Sequence, residues 1–165
     1  MMFDIGDKVV YPMHGAGVIE GIEEKEILGQ KKKYFVMRMP IGDMKVMIPM
    51  ENVNHIGLRQ VVENEAINRV MDILGEQEQD LATNWNQRYR ANMDKIKSGD
   101  IYEVAGVVRS LMIRDRAKGL STGERKMLDQ AKQILISEMA LVQNLESKEV
   151  FTLLDGLIKE RDASM

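Results

Sequence analysis

Residues 33–50 read KYFVMRMPIGDMKVMIPM, and their alternation decides the first half of the fold. Side chains on a strand point to opposite faces at every step. Phe35, Met37 and Met39 therefore oppose Tyr34, Val36 and Arg38. After the turn signal PIGD (40–43), Met44, Val46, Ile48 and Met50 oppose Lys45, Met47 and Pro49. The Met44 set is a plausible barrel core, which leaves Met47 as an apolar residue on the face that bears Lys45. Tyr34 and Val36 make the first strand apolar on both sides, so one side needs a cover. That cover is either the helix expected next in the chain or a protein partner, held by an apolar patch or by strand pairing.

The same rhythm extends upstream. DKVVYP (7–12) is a short β-rich run ending in proline, and AGVIEGIEEKEI (16–27) is a longer one with Gly21 placed for a bulge. LGQKK (28–32) makes a hairpin turn into the strand beginning at Lys33. Gly15 and Gly17 in HGAG read as a strand-connecting turn with positive φ, since a Gly-x-Gly fragment between strands lacks the helix that a phosphate cradle requires. Short strands joined by tight turns within some sixty residues predict a small, bent, SH3-like barrel over 1–60.

Beyond Arg59 the period becomes helical. Helices are expected over Val61–Leu74, Asn84–Lys97, Ile101–Lys118, Thr122–Asn144 and Lys148–Arg161. Asp100 with Glu103 and Ser121 with Glu124 fit capping boxes, and Gly75, Gly99 and Gly119 stand where helices should stop. GEQEQD (75–80) is a polar connector. The expected class is α+β: a β module over 1–60, a helix and linker over 61–82, and an all-α bundle over 83–165. The helix Val61–Leu74 can belong to either module, and the sequence leaves open whether the amphipathic segment after Leu145 packs on the bundle.

Composition narrows the function. The 165 residues are 44% hydrophobic and 30% charged, with no cysteine, which excludes disulfides and thiolate metal sites and suits a reducing cytoplasm. The N-terminus, MMFDIGDKVV, does not read as a signal peptide, and no run approaches the ~18 apolar residues of a membrane span. His14 and His55 have no helix-spaced partners, so neither a metal site, a cofactor, a small-molecule substrate nor catalysis is expected. The net charge of −3 conceals a segregation. Residues 1–60 balance to zero, whereas residues 83–135 hold eleven Lys/Arg against six Asp/Glu. A phosphate backbone responds to that local field.

The only tryptophan, Trp85, lies at the start of the basic half in TNWNQRYR (83–90). Spacing with Tyr89, Met93 and Ile96 allows it to begin the apolar stripe of the bundle. Its place beside Asn84, Asn86 and Gln87, just ahead of Arg88 and Arg90, equally allows an exposed ring that stacks on a base or wedges into a base step. Lys95, Lys97, Arg114, Lys118 and Lys126 are spread over several helices, as in a surface patch and not a single recognition helix.

Two segments carry a resemblance. FDIGDKVVYPMHGAGVIEGIEEKEILGQKKKYFVMRMP (3–40) resembles the RNA-polymerase-interacting domain shared by the CarD/CdnL family and the transcription-repair coupling factor. TNWNQRYRANMDKIKSGDIYEVAGVVRSLMIRDRAKGLSTGERKMLDQAKQILISEMAL (83–141) resembles the C-terminal helical domain of the stand-alone CarD/CdnL proteins. The resemblance implies a Tudor-like N-terminal fold that binds the β subunit of bacterial RNA polymerase through an exposed strand. It also implies a helical domain on promoter DNA at the upstream edge of the melted bubble, stabilising the open complex in the cytoplasm. Trp85 then matches the family's minor-groove wedge, and Arg88 and Arg90 match its phosphate contacts. Lys25, Ile27, Lys45 and Met47 form the expected polymerase face, with Met47 standing where some relatives have arginine. A monomer is expected, with strand exchange between two copies as the variant state. The alternatives are a ribosome- or RNA-associated barrel, or a sequence-specific repressor using the turn in KGLSTGERKML (118–128).

Overall fold

The computed structural model describes residues 3–40, 42–76 and 84–163. Ile41 of the expected PIGD turn and residues 77–83, which include 77–80 of the expected connector, lie outside the described residues. Five strands, β1 (Lys8–Tyr11), β2 (Gly15–Ile27), β3 (Gln30–Arg38), β4 (Lys45–Pro49) and β5 (Arg59–Gln60), form one antiparallel sheet in the order β4-β3-β2-β1-β5. Five helices follow: α1 (Asn64–Gly75), α2 (Trp85–Lys97), α3 (Ile101–Lys118), α4 (Thr122–Gln143) and α5 (Ser147–Ala163). The class is α+β, a small five-stranded antiparallel sheet followed by an all-α bundle.

The turns explain the sheet. Leu28 (φ 54°) and Gly29 (φ 79°) are both left-handed, as a two-residue hairpin between twisted strands requires. The β2–β3 register shifts between Ile19 and Gly21, so Gly21 does sit at a bulge. Gly15 has the expected positive φ of 115°. Gly17 does not: it is a strand residue opposite Val9, and glycine is needed there because a Cβ would lie 2.5 Å from the Arg38 carbonyl oxygen. Phe35, Met37, Met39, Ile19, Val9 and Ile48 fill the barrel core, with Val46 and Met50 packed against it. Met44 is a correction. It precedes β4, is 61% exposed and takes no part in the core, because the strand begins only at Lys45.

The helical core is separate, built on Ile67, Val70, Leu74, Ile96, Val104, Val108, Leu111, Leu135 and Met139. Helix α1 belongs to this core, packing on α3, α5 and α4 and not on the sheet. The helix that reaches the sheet is α4, which lies against β2. Buried Val150 and Leu154 seat α5 on the bundle. Asp100 caps α3 by accepting from the Tyr102 N–H at 2.8 Å, and Gly99 (φ 73°) and Gly119 (φ 78°) have the positive φ expected of helix stops, although Gly119, with ψ 164°, is extended and not left-handed helical. Gly75 is instead the last residue of α1 without a positive φ, because the chain leaves through an extended Glu76.

The two strand glycines separate backbone clash from tolerance. Gly17→Ala should cost about 3 kcal/mol, the upper end of an overpacking penalty, whereas Gly21→Ala, with nothing within 4 Å, should stay within about 0.5 kcal/mol. Urea unfolding of the two variants checks this, and equal losses would contradict the register.

Candidate nucleic-acid interface at the Trp85 corner

Helices α2 and α4 both start at one corner of the bundle, beside the end of α3. Each start is capped by a side chain chosen for the purpose. Asn84 accepts from the Gln87 N–H at 2.8 Å, and the Ser121 hydroxyl accepts from the Glu124 N–H at 3.2 Å. The same hydroxyl accepts from the Trp85 indole N–H at 3.1 Å, tying the two starts together. The indole stacks on Tyr89 with ring centroids 4.9 Å apart and planes 20° apart. Gly123 leaves room for this pair: a Cβ there would stand 3.6 Å from Trp85 and 3.7 Å from Tyr89.

Trp85 remains 42% exposed. Tyr89 and Met93 pack against the helical core and Ile96 is wholly inside it, so the apolar stripe runs from Tyr89 inward and Trp85 stands beyond its end. An indole with its N–H satisfied, one face stacked and two-fifths of its surface in water is a fixed apolar surface, not a core residue.

Beneath it lies a buried charge. Glu124, 2% exposed, accepts from Arg88 Nε at 2.8 Å and Nη2 at 3.1 Å in a bidentate pair. The Arg88 hydrogen bond is the main cause that holds this carboxyl below the usual carboxylate range; burial opposes it, and the charges of Arg88 and Arg114 and the Trp85 indole assist. Glu124 was expected to close a capping box with Ser121. Ser121 does cap α4, but the Glu124 carboxylate is engaged by Arg88, a charge-assisted partner that outcompetes a neutral backbone N–H.

The expected cations divide. Arg88 is turned inward onto Glu124 and only 17% exposed. Arg114 is half-buried near the same carboxylate, and Lys118, exposed, ends α3 next to the Ser121 turn. Arg90 and Lys126 are exposed within two turns of the starts of α2 and α4. Lys95 and Lys97 lie at the opposite end of α2, about 15 Å along the helix from Trp85. Lys95 lines a cleft of ≈ 280 Å³ with Arg69, Glu76, Tyr102, Glu103 and Arg109. Sequence reasoning missed Ser121 and Tyr89 as the seat of the indole, and Arg125, which joins the corner paired with Asp115 at 3.0 Å. A signal for the first existed, since a tryptophan N–H at a helix start needs an acceptor.

On the barrel, Lys25, Ile27, Met47 and Lys45 pair with Lys32, Gln30, Val36 and Arg38. Those β3 residues are spaced by even numbers, so all four candidates share one face. They are nonetheless spread along it, about 20 Å separating the Lys32 and Arg38 positions. Lys45 forms an ion pair with Glu20 at 3.0 Å, and Met47 is half-buried opposite Val36 on the edge strand β4. Among the described residues no group of His, Asp and Glu gathers to hold a metal ion, and no helix is long and apolar enough to cross a membrane.

Comparison with known proteins assigns both halves. Residues 3–62 match the CarD-like/TRCF RID domain, and residues 69–155 match the CarD C-terminal domain. The chain belongs to the CarD family. It is 47% identical over 149 residues to the putative transcription factor YdeB of Bacillus subtilis (strain 168), covering 90% of this chain and 97% of that one. Among solved structures it is similar to the N-terminal domain of Myxococcus xanthus CarD, at 37% identity over 36% of this chain and 79% of that one, with a TM-score of 0.32. It is also similar to CdnLNt from Myxococcus xanthus, at 40% identity over 38% of this chain and 87% of that one, with a TM-score of 0.33. Membership of this family supports a role as a transcription regulator.

The buried pair yields a pH prediction. Because the folded-state value of Glu124 is depressed, its stabilisation is complete above the unfolded carboxylate value and is lost as pH falls through the lower folded value. Arg88→Met leaves a buried carboxylate unpaired and should cost about 3 kcal/mol. It should also move acid unfolding to higher pH. Fluorescence of the single tryptophan reports both effects, and an unchanged acid midpoint would contradict the pairing.

Proposed function

We propose that this CarD-family protein is a bacterial transcription regulator that binds the RNA polymerase β subunit through its sheet and promoter DNA through the Trp85 corner. Its site on DNA is the upstream edge of the melted bubble, and its effect is to stabilise the open complex. The observation that carries this reading is the state of Trp85: exposed, oriented by Ser121 and Tyr89, and ringed by cations and two helix starts.

The chemistry of that corner suits a fork junction. Helix starts and cations favour phosphate, while a flat apolar ring favours an unstacked base step. Arg90, Lys118 and Lys126 are the exposed phosphate contacts, with Lys95 and Lys97 reaching a more distant part of the backbone. Arg88 contributes mainly by fixing the start of α2 over Glu124. No helix bears a dense row of base-reading side chains, so DNA is held without strong sequence preference.

The mechanism is differential binding. A ring that finds a partner only where bases are unstacked favours the open state by the difference in its affinity for the two states. Holding the barrel on polymerase raises the local concentration of the bundle at the promoter, so weak intrinsic DNA affinity is sufficient. On the barrel, Lys25, Ile27, Lys45 and Met47 form the polymerase face, with Met47 and the β4 edge giving it an apolar centre.

Two measurements separate the modules. Trp85→Ala should shorten open-complex lifetime about ten-fold, the equivalent of one lost base–aromatic stack, while polymerase binding is retained. An unchanged lifetime would defeat the wedge assignment. Met47→Glu should weaken binding to the isolated β-subunit lobe about ten-fold or more by placing a charge at the apolar centre. Full affinity would put the polymerase contact elsewhere.

A further inference from the structure

Glu138 is a second buried carboxylate on α4, only 1% exposed, and the DNA-facing corner makes no use of it. Its two oxygens accept from Arg59 Nη2 and Nη1, each at 2.8 Å, and Oε2 also accepts from the Val62 N–H at 2.9 Å. Arg59 belongs to β5 of the sheet. Its guanidinium also donates to the Gly99 carbonyl, from Nε at 2.9 Å and Nη2 at 2.7 Å. One ion pair thus joins the last strand, the approach to α1, the α2–α3 turn and α4.

Neighbouring contacts cross the same junction. The Ala16 N–H donates to the Ser137 hydroxyl at 2.8 Å, and Lys8 Nζ donates to the Leu141 carbonyl at 2.9 Å. Met13, at a left-handed φ of 76°, packs against the helical core while its carbonyl accepts from Gln130 at 3.1 Å. A methionine held in that conformation is strained, and the contacts around it must outweigh the strain. The barrel and bundle have separate cores, so these contacts are what orient one on the other.

Glu138 lies fourteen residues beyond Glu124 on one helix, nearly four whole turns, so the two carboxylates point to similar sides about 21 Å apart. One binds the start of α2 under Trp85 and the other binds the barrel. We infer that the Arg59–Glu138 pair is a positioning device: it fixes the span and angle between the sheet face and the Trp85 corner, so that a barrel seated on polymerase delivers the ring to the bubble edge in one orientation.

This inference rests on the proposed function and adds a role for residues that touch neither polymerase nor DNA. A rigid link of matched span keeps the effective concentration of the second module high, and a loose one lowers it. Glu138→Gln removes the charge of the pair with little change of shape, and Arg59→Met removes the fork.

The test uses full-length protein, polymerase holoenzyme and a promoter. Each variant should keep its affinity for the isolated β-subunit lobe and for forked DNA alone. Open-complex lifetime should fall at least about ten-fold, a part of the roughly hundred-fold or more that linking two sites supplies. Residual dipolar couplings should show one alignment tensor for barrel and bundle in the parent and two in the variants. A core variant of modest stability loss, Ile19→Val, should leave lifetime and tensors unchanged. Lys8→Met, outside both cores, should shift the same readouts in the same direction and serves if the buried variants do not fold. Variants with separated tensors and an unchanged lifetime would overturn the inference, as would tensors that stay identical. Trp85→Ala run alongside distinguishes the failures: if it shortens lifetime and Glu138→Gln does not, only the positioning role is lost, whereas no effect of Trp85→Ala removes the proposed function itself.

Discussion

A carboxylate with almost no access to water must be met by a cation or become neutral, and the Trp85 corner is organised by that constraint. Glu124 draws the Arg88 guanidinium inward, and with it the first turn of α2. Trp85, three residues ahead of Arg88, is thereby brought to the Ser121 hydroxyl and laid on Tyr89. The exposed ring is a consequence of the buried pair. The pair acts with the Asn84 cap, the Trp85–Ser121 hydrogen bond and the Tyr89–Ile96 stripe to locate the start of α2.

The same device recurs at the far end of α4. Glu138 draws Arg59 from the sheet as Glu124 draws Arg88 from α2. Both glutamates lie in a helix whose other buried residues are mainly apolar, including Met127, Leu128, Ile134, Leu135 and Met139. Replacing such pairs with hydrophobic residues often costs nothing in stability, so their value here lies in direction: each admits one partner in one geometry. Helix α4 serves as the beam of the molecule, with the Trp85 corner at one end and the barrel at the other.

Much of this was legible in the sequence. The strands declared themselves through alternation in residues 33–50 and the Leu28-Gly29 turn, and the helices through Asp100, Ser121, Gly99 and Gly119. Those signals are local, and local rules cover them. Met44 was misassigned because alternation gives a face but not the point where pairing begins. Helix α1 could not be assigned to a module, since an amphipathic face fits a bundle or a sheet equally well. The exposure of Trp85 was undecided for a similar reason: its spacing to Tyr89 and Met93 also describes a core stripe. What separates the readings is Ser121, thirty-six residues away, and that contact is tertiary. Arg88 was expected on phosphate and Arg59 only marked the change of period, because the glutamates that claim them are distant in the chain.

In the proposed function, the Trp85 ring meets unstacked bases at the upstream edge of the bubble while the barrel holds polymerase. Its most direct measurement places 2-aminopurine at that edge of a promoter and follows its fluorescence as the protein is added to the polymerase–promoter complex. The parent protein should change the probe's emission, and Trp85→Ala, though still bound to polymerase, should leave it as polymerase alone does. An identical response from the two proteins would mean that the ring does not reach the bases.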